Sequence, residues 1–233
     1  GYETPDRVPE VFKNVRDWNI EDTNIVNGAF ADSLAALSTD LEMEKDEGDK
    51  MGGRRAKEFS EQLRKTARII KSKNLLMVCS NQIRQTMNSF GPKYTSPGGE
   101  AIGFYSSVRL QFNNAQKVWK EKNTKGKKIK KVVGVETQID VAKNSTWKPY
   151  RSAPIYIDYD YGIDDIRTNL QFIKDYTSHK TYTLDGQSLH NEMDRAIRII
   201  EKDDLEEQLK EEVIDLWEEI ERKFVSNRKK KKR

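Results

Sequence analysis

Apolar residues Val8, Val11, Phe12, Val15 and Trp18 recur at helical spacing, with Pro9 near the start, where a missing amide hydrogen costs nothing. They predict an opening amphipathic helix. Residues 24–37 (NIVNGAFADSLAAL) predict a short strand ending at Asp32, and residues 40–55 read as a charged, glycine-bearing loop. Phe59, Leu63, Ala67 and Ile70 give a second amphipathic helix over 56–71. NLLMVCS (74–80) is continuously apolar, as a strand buried on both faces should be. FYSSVRLQF (104–112) alternates like a strand, and VVGVETQIDVA (132–142) and APIYIDYDY (153–161) follow, two of them joined as a lysine-rich hairpin. Strands that first alternate with helices and then run consecutively imply an α/β core with a mixed sheet whose far side is antiparallel. Beyond about residue 175 the texture changes: YTLDGQSL (182–189) predicts a hairpin with Asp-Gly at its turn, followed by helices near 190–202 and 204–224. The expected organisation is a core over 1–174, a small C-terminal helical domain over 175–226 and a basic tail over 227–233.

Between the strands ending near Ser80 and starting near Phe104 lies a long polar segment punctuated by Gly and Pro. Loops of about 15 residues without secondary structure are uncommon in compact domains and are usually functional or disordered. Composition narrows the picture further. Of 233 residues 34% are charged and 35% hydrophobic, which reads as a soluble, heavily solvated protein. A net charge of +4 is modest, so a nucleic-acid reading rests on where the lysines lie, namely in 116–131 and 228–233. The single cysteine, Cys79, sits in an apolar run and reads as a small core residue; no disulfide framework or metal-ligand spacing exists, which fits a reducing cytoplasm. No apolar stretch is long enough to span a bilayer, so no membrane partner is expected.

The segments DSLAAL, EGDKMGGRRAKEFSEQLRK, SNQIR, PGGEAIGFYSSVRL and VETQIDVAKN occur in this order, and together resemble the RecA family of recombinases, especially its phage-type members, over roughly residues 24–175. The resemblance implies part of a RecA-like P-loop ATPase core, with helices on both faces of its sheet. Asp32 matches the Walker B aspartate, which holds the water shell of Mg²⁺, and Ser33 follows it. Gln82 matches the glutamine that senses the γ-phosphate of ATP, so Asp32, Gln82 and Lys143 form the expected catalytic set. Ile83–Gly99 resembles DNA-binding loop L2, in which Arg84, Met87 and Phe90 meet a single strand and Gly98 and Gly99 let the backbone approach phosphates. Residues 44–55 resemble loop L1, with Gly52, Gly53, Arg54 and Arg55 as contacts, and Arg64 matches a helix arginine facing the bound strand. Lys143 matches the first of two lysines that reach the ATP of the adjacent subunit; the second is Ser145 here. Phe104 matches a subunit-interface aromatic. Plainer readings stand beside these: a strand-end or helix-capping Asp32, a strand-capping Gln82, solvated arginines and a core Phe104.

Two departures stand out. Positions that are basic in the family's secondary DNA site are Asn113, Asn114, Gln138 and Asp140 here, while eight lysines from Lys117 to Lys131 crowd the hairpin between them. Either duplex binding has moved to this hairpin or the run is simply solvated. No G-x-x-x-x-G-K-[ST] motif occurs. The P-loop and the catalytic glutamate are expected upstream, so the chain reads as the C-terminal portion of a recombinase, inactive as an ATPase alone. The implied function is an ATP- and Mg²⁺-dependent recombinase of a bacterial or phage-infected cytoplasm. It forms homo-oligomeric filaments on single-stranded DNA and pairs them with double-stranded DNA. The alternative is a non-catalytic RecA-like DNA-binding or filament-regulating module; a RecA-core hexameric helicase is disfavoured by PGGEAIGFYSSVRL and the basic tail.

Overall fold

The computed structural model describes residues 7–38, 52–85 and 94–228, without the side chains of Gly52, Arg54, Thr95 and Asn114. Met87, Phe90, most of the expected L1 loop and the terminal lysines therefore lie outside the described residues. The chain divides into two compact units, one of residues 1–109 and 143–147, the other of 110–142 and 148–233.

In the first unit, α1 (Val8–Asp17) carries Pro9 in its first turn and buries Val8 and Phe12. β1 (Asn27–Ala31) follows, then a single 3₁₀ turn over Leu34–Ala36, α2 (Gly52–Ile70) and β2 (Leu75–Cys79). β1 and β2 pair in parallel, from Asn27↔Leu75 to Ala31↔Cys79. Val8, Phe12, Leu34 and Phe59 form a buried cluster, joined by Ala31, Met77 and Cys79 from one face of the pair. Phe12 meets Phe59 edge to face, with centroids 6.2 Å apart. Gln62 and Thr66 are buried polar groups on α2, and Arg16 satisfies both, Nη1 donating at 2.9 and 3.2 Å. The opposite face of the strands is bare: Phe30, Leu76 and Val78 are exposed. The expectation of a β2 strand buried on both faces is thus corrected. An apolar run shows that both rows of side chains can be buried, not that both are covered.

β3 (Arg84–Gln85) and β4 (Tyr94–Thr95) pair antiparallel, so the supposedly structureless loop contains a small ladder. It is followed by α3 (Glu100–Tyr105), which replaces the expected strand start at Phe104; the strand proper begins at Val108. Gly98 and Gly99, at φ +93° and +69°, turn the chain into this helix.

β5 (Val108–Thr124), β6 (Lys127–Asn144), β7 (Ser152–Asp158) and β8 (Gly162–Ile163) form one sheet in that order, in the second unit except for residues 108–109 and 143–144. Among the described residues no strand of this sheet pairs with β1 or β2. Lys125 and Gly126, at φ +50° and +74°, make the two-residue turn between β5 and β6, as tight hairpins require. β6 pairs β7 antiparallel from Gly134↔Asp158 to Asp140↔Ser152. A Cβ on Gly134 would stand 2.3 Å from the Ile157 carbonyl oxygen and 3.2 Å from the Asp158 Cα. Both atoms are backbone, so Gly134→Ala should lower unfolding stability by about 2 kcal/mol in urea titrations.

α4 (Asp165–Tyr176) is capped by Asp164, whose carboxylate accepts from the Arg167 amide at 3.0 Å. β9 (Tyr182–Leu184) and β10 (Gln187–His190) form the predicted hairpin around Asp185-Gly186, and α5 (Met193–Lys202) and α6 (Glu206–Lys223) complete the chain. Ile166, Leu170 and Ile173 of α4 bury with Tyr182, Leu184, Ile200 and Leu209. The expected boundary near 175 therefore falls at the end of a helix whose apolar face already belongs to the C-terminal core.

Candidate functional site

β1 and β2 run parallel and end in register, so Asp32 and Ser80 leave the sheet side by side. The Ser80 amide donates to the Ala31 carbonyl at 2.9 Å and the Leu34 amide donates to the Ser80 carbonyl at 3.0 Å, locking the two exits together. The Ser80 hydroxyl donates to the Asp32 carboxylate. Asp32 is otherwise exposed, and a cis peptide joins it to the half-buried Ser33. It caps no helix, since Ser33 occupies that position before the 3₁₀ turn and makes no side-chain cap bond. The carboxyl ends of parallel strands are where open α/β sheets bind ligands.

One residue further along β2's exit, the Asn81 side chain accepts from the Gln82 amide and donates to the Pro97 carbonyl, both at 3.0 Å. This fastens the strand end to the far side of the 82–97 segment. Gln82 is exposed and leads directly into β3, where exposed Arg84 pairs across to Thr95. Asp32, Ser33, Gln82 and Arg84 are thus brought to one end of the parallel pair.

Other expected residues are used differently. Gly52, Gly53, Arg54 and Arg55 belong to the first turn of α2, not to a loop. Arg55 Nη2 donates to the carbonyls of Leu34 (3.3 Å) and Ala35 (2.8 Å), and its guanidinium lies 5.9 Å from the Phe59 ring centroid. It braces the turn behind Asp32 and is half-buried. Gly98 is buried: a Cβ there would stand 2.5 Å from Ile102 Cδ1 and 3.2 Å from Phe59, and one on Gly99 would stand 2.8 Å from the Ala56 Cβ. The close approach these glycines allow is to α2 and α3. Arg64 is exposed on α2, and Lys57 and Arg68 share that exposed side at spacings of seven and four. The sequence reading passed over both, although their helical spacing from Arg64 was a usable signal.

Lys143 Nζ donates to the carbonyls of Gly103 (2.9 Å) and Phe104 (2.8 Å), placing a cation on the C-terminal end of α3, where the helix dipole favours it. Phe104 itself is 75% exposed, which removes the plain core reading. The Ser145 amide donates to the Ser107 carbonyl at 2.9 Å, so this position supplies a backbone bond and no charge. In the sheet, Asn113 donates to the Asp140 carboxylate at 2.6 Å, while Thr137 Oγ1 donates to the Asn113 carbonyl at 2.9 Å. Positions expected to be basic are here a neutral–acidic pair satisfied internally. Burial pushes the Cys79 thiol up to about 11, so it stays protonated and inert within its cluster.

Among the described residues no cluster of three acidic, His or Cys side chains is arranged to hold a metal. Mg²⁺ nonetheless binds through one or two carboxylates, waters and substrate phosphates, so the exposed Asp32 carboxylate, bonded by the Ser80 hydroxyl, fits a water-mediated ion. No described helix is long and apolar enough to cross a membrane.

Comparison with known proteins adds a family. The RecA N-terminal domain matches residues 13–164. Protein RecA of Marinobacter nauticus is 39% identical over 142 residues, covering 60% of this chain and 39% of the relative. Protein RecA of Bacillus subtilis is 35% identical over 158 residues, covering 65% and 43%, and that of Staphylococcus carnosus is 39% identical over 133 residues, covering 57% and 35%. The chain spans only 35–43% of the length of these curated relatives.

Proposed function

The chain belongs to the RecA N-terminal domain family, and from that premise we propose that it carries the Walker B and DNA-loop part of an ATP-dependent recombinase. The complete protein would polymerise on single-stranded DNA, pair it with homologous duplex and exchange strands in recombination and repair. It would do so in the cytoplasm of a bacterial or phage-infected cell. The observation that carries this reading is the joint exit of Asp32 and Gln82 from neighbouring parallel strands, with the Arg84–Thr95 ladder as the direct continuation. A change at the phosphate end has only two residues to travel before it reaches the DNA loop.

In this reading Asp32, aided by Ser33 and Ser80, orients the water shell of Mg²⁺, and bound MgATP supplies the phosphoryl group together with charge neutralisation. Gln82 senses the terminal phosphate and moves β3. Arg84 and Arg64 are the exposed cations offered to the DNA backbone, joined by Arg54, Met87 and Phe90; Arg55, Gly98 and Gly99 hold the surrounding turns in place. Phe104 and Lys143 form one subunit-contact patch, because the ammonium rests on the Phe104 carbonyl.

The alternative is a non-catalytic DNA-binding or filament-regulating module. Under both readings residues 1–233 alone should bind single strands and hydrolyse no ATP above background. Steady DNA-stimulated turnover lost in Asp32→Ala would overturn that. Joining a RecA P-loop segment upstream separates the two: Asp32-dependent, single-strand-stimulated hydrolysis is expected for the recombinase and none for the module.

A further inference from the structure

Residues 116–131 hold eight lysines and one acid, a local charge of +7 in a chain of net +4. They form the turn end of the β5–β6 hairpin. β7 pairs β6 only from Gly134 onward, apart from the Tyr159 amide donating to the Val133 carbonyl. Residues 127–132 and the strand opposite them therefore extend past the pairing with β7 as a two-stranded ribbon, roughly 20 Å long at about 3.3 Å per residue, tied at its base by Lys120, which reaches Asp158 at 3.6 Å.

The lysines are not gathered on one face. Trp119 and Lys130 meet, with Nζ 5.2 Å from the ring centroid, and Lys128 pairs with Glu121 at 3.2 Å, so these four side chains share a face. Strand alternation puts Lys127 and Lys131 on the opposite face, with Lys122 of β5; Lys120 is held by Asp158. Each face of the hairpin thus carries cations. A ribbon charged on both faces is mismatched to a single flat anionic surface, which leaves half its cations facing away. It matches a slot with two anionic walls.

We propose that this ribbon is a duplex DNA-binding element that enters the major groove edge-on, its two faces turned to the two phosphate backbones. The major groove is about 12 Å wide and admits a two-stranded ribbon. Trp119 anchors Lys130, whose charge then stands at a fixed place on its face. Contacts of this kind are to phosphates, so they are independent of sequence and strongly salt-dependent. The proposal does not rest on the recombinase reading.

The test uses residues 1–233 with a labelled 30-base-pair duplex and a single strand of equal length, titrated over a range of salt. Three variants are compared: Lys127→Gln/Lys131→Gln, Lys128→Gln/Lys130→Gln and all four together, with circular dichroism confirming an unchanged fold. Each double variant should lower the log–log salt slope for duplex by about 1.8 and the quadruple variant by about 3.6, at roughly 0.9 per lost phosphate contact. Single-strand binding should hold. Loss confined to one face would overturn the two-walled geometry, and no loss from either would leave a solvated charge run. Equal losses on duplex, single strands and phosphatidylserine vesicles would replace duplex recognition by general polyanion binding. An Arg84→Glu arm keeps the two proposals apart: if it leaves single-strand binding intact while both lysine pairs behave as stated, the recombinase reading fails and the ribbon stands.

Discussion

Phe59→Ala should destabilise the protein by about 3–5 kcal/mol, the usual cost of deleting a fully buried aromatic side chain. Phe59 has no exposed surface and sits where four parts of the first unit meet. Phe12 of α1 packs edge to face on it, Arg55 lies over its ring, Leu34 shares its cluster, and the missing Cβ of Gly98 faces it at 3.2 Å. No single neighbour can fill the void, since each is fixed by another partner. The segment behind Asp32 and the end of the 82–97 segment are both packed on this ring. Urea unfolding should therefore shift strongly, and amide exchange should accelerate in α1, α2 and around Leu34 before it does in α4–α6. Phe59→Leu, which keeps most of the apolar volume, should recover the larger part of the loss. A cost below about 1 kcal/mol for the alanine variant would show that this cluster is not what holds the site end together.

Elements whose identity rests on their own periodicity were legible in the sequence. α1, α2, α6 and the Asp185-Gly186 hairpin were all expected near where they occur, since each long apolar stripe or turn dipeptide specifies one structure. Where tertiary partners decide, the sequence was ambiguous. Phe104-Tyr105-Ser106-Ser107-Val108 reads as alternation, yet Glu100–Tyr105 is helical because two positive-φ glycines start it and Lys143, about forty residues away in sequence, caps its carbonyls. Nothing local announces such a cap. The same holds for Arg55, a cation beside a glycine pair that resembles a DNA contact. Its carbonyl partners lie about twenty residues upstream. The site end itself was legible because the carboxyl ends of successive strands are marked by abrupt polarity: DS after AFA and SNQ after LLMVC. The division of the lysine hairpin between two faces was implicit in its alternation, but required contacts such as Trp119–Lys130 to align the strands.

Arg84→Glu should weaken single-strand binding by at least about tenfold near 0.1 M salt, where exposed charges interact over roughly 10 Å. Arg84 is exposed on β3, has no ion-pair partner among the described residues, and stands two positions after Gln82 on the strand that leads out of the β2 exit. Reversal removes one phosphate contact and adds a repulsive carboxylate. The log–log salt slope should thus fall by about 0.7 for the lost contact and by a similar amount again for the repulsion. Arg84→Gln isolates the first of these and should give the smaller change. Because the loss is electrostatic, wild type and variant should converge as salt rises; a gap that persists at high salt would point to a folding defect instead. Lys128→Glu is the matched control, an exposed cation on the ribbon already paired to Glu121. It should affect single strands less than Arg84→Glu and duplex more. If the two reversals act equally on single strands, or Lys128 acts more strongly, the primary strand is held by the hairpin, and the 82–97 segment loses its assignment as the DNA loop.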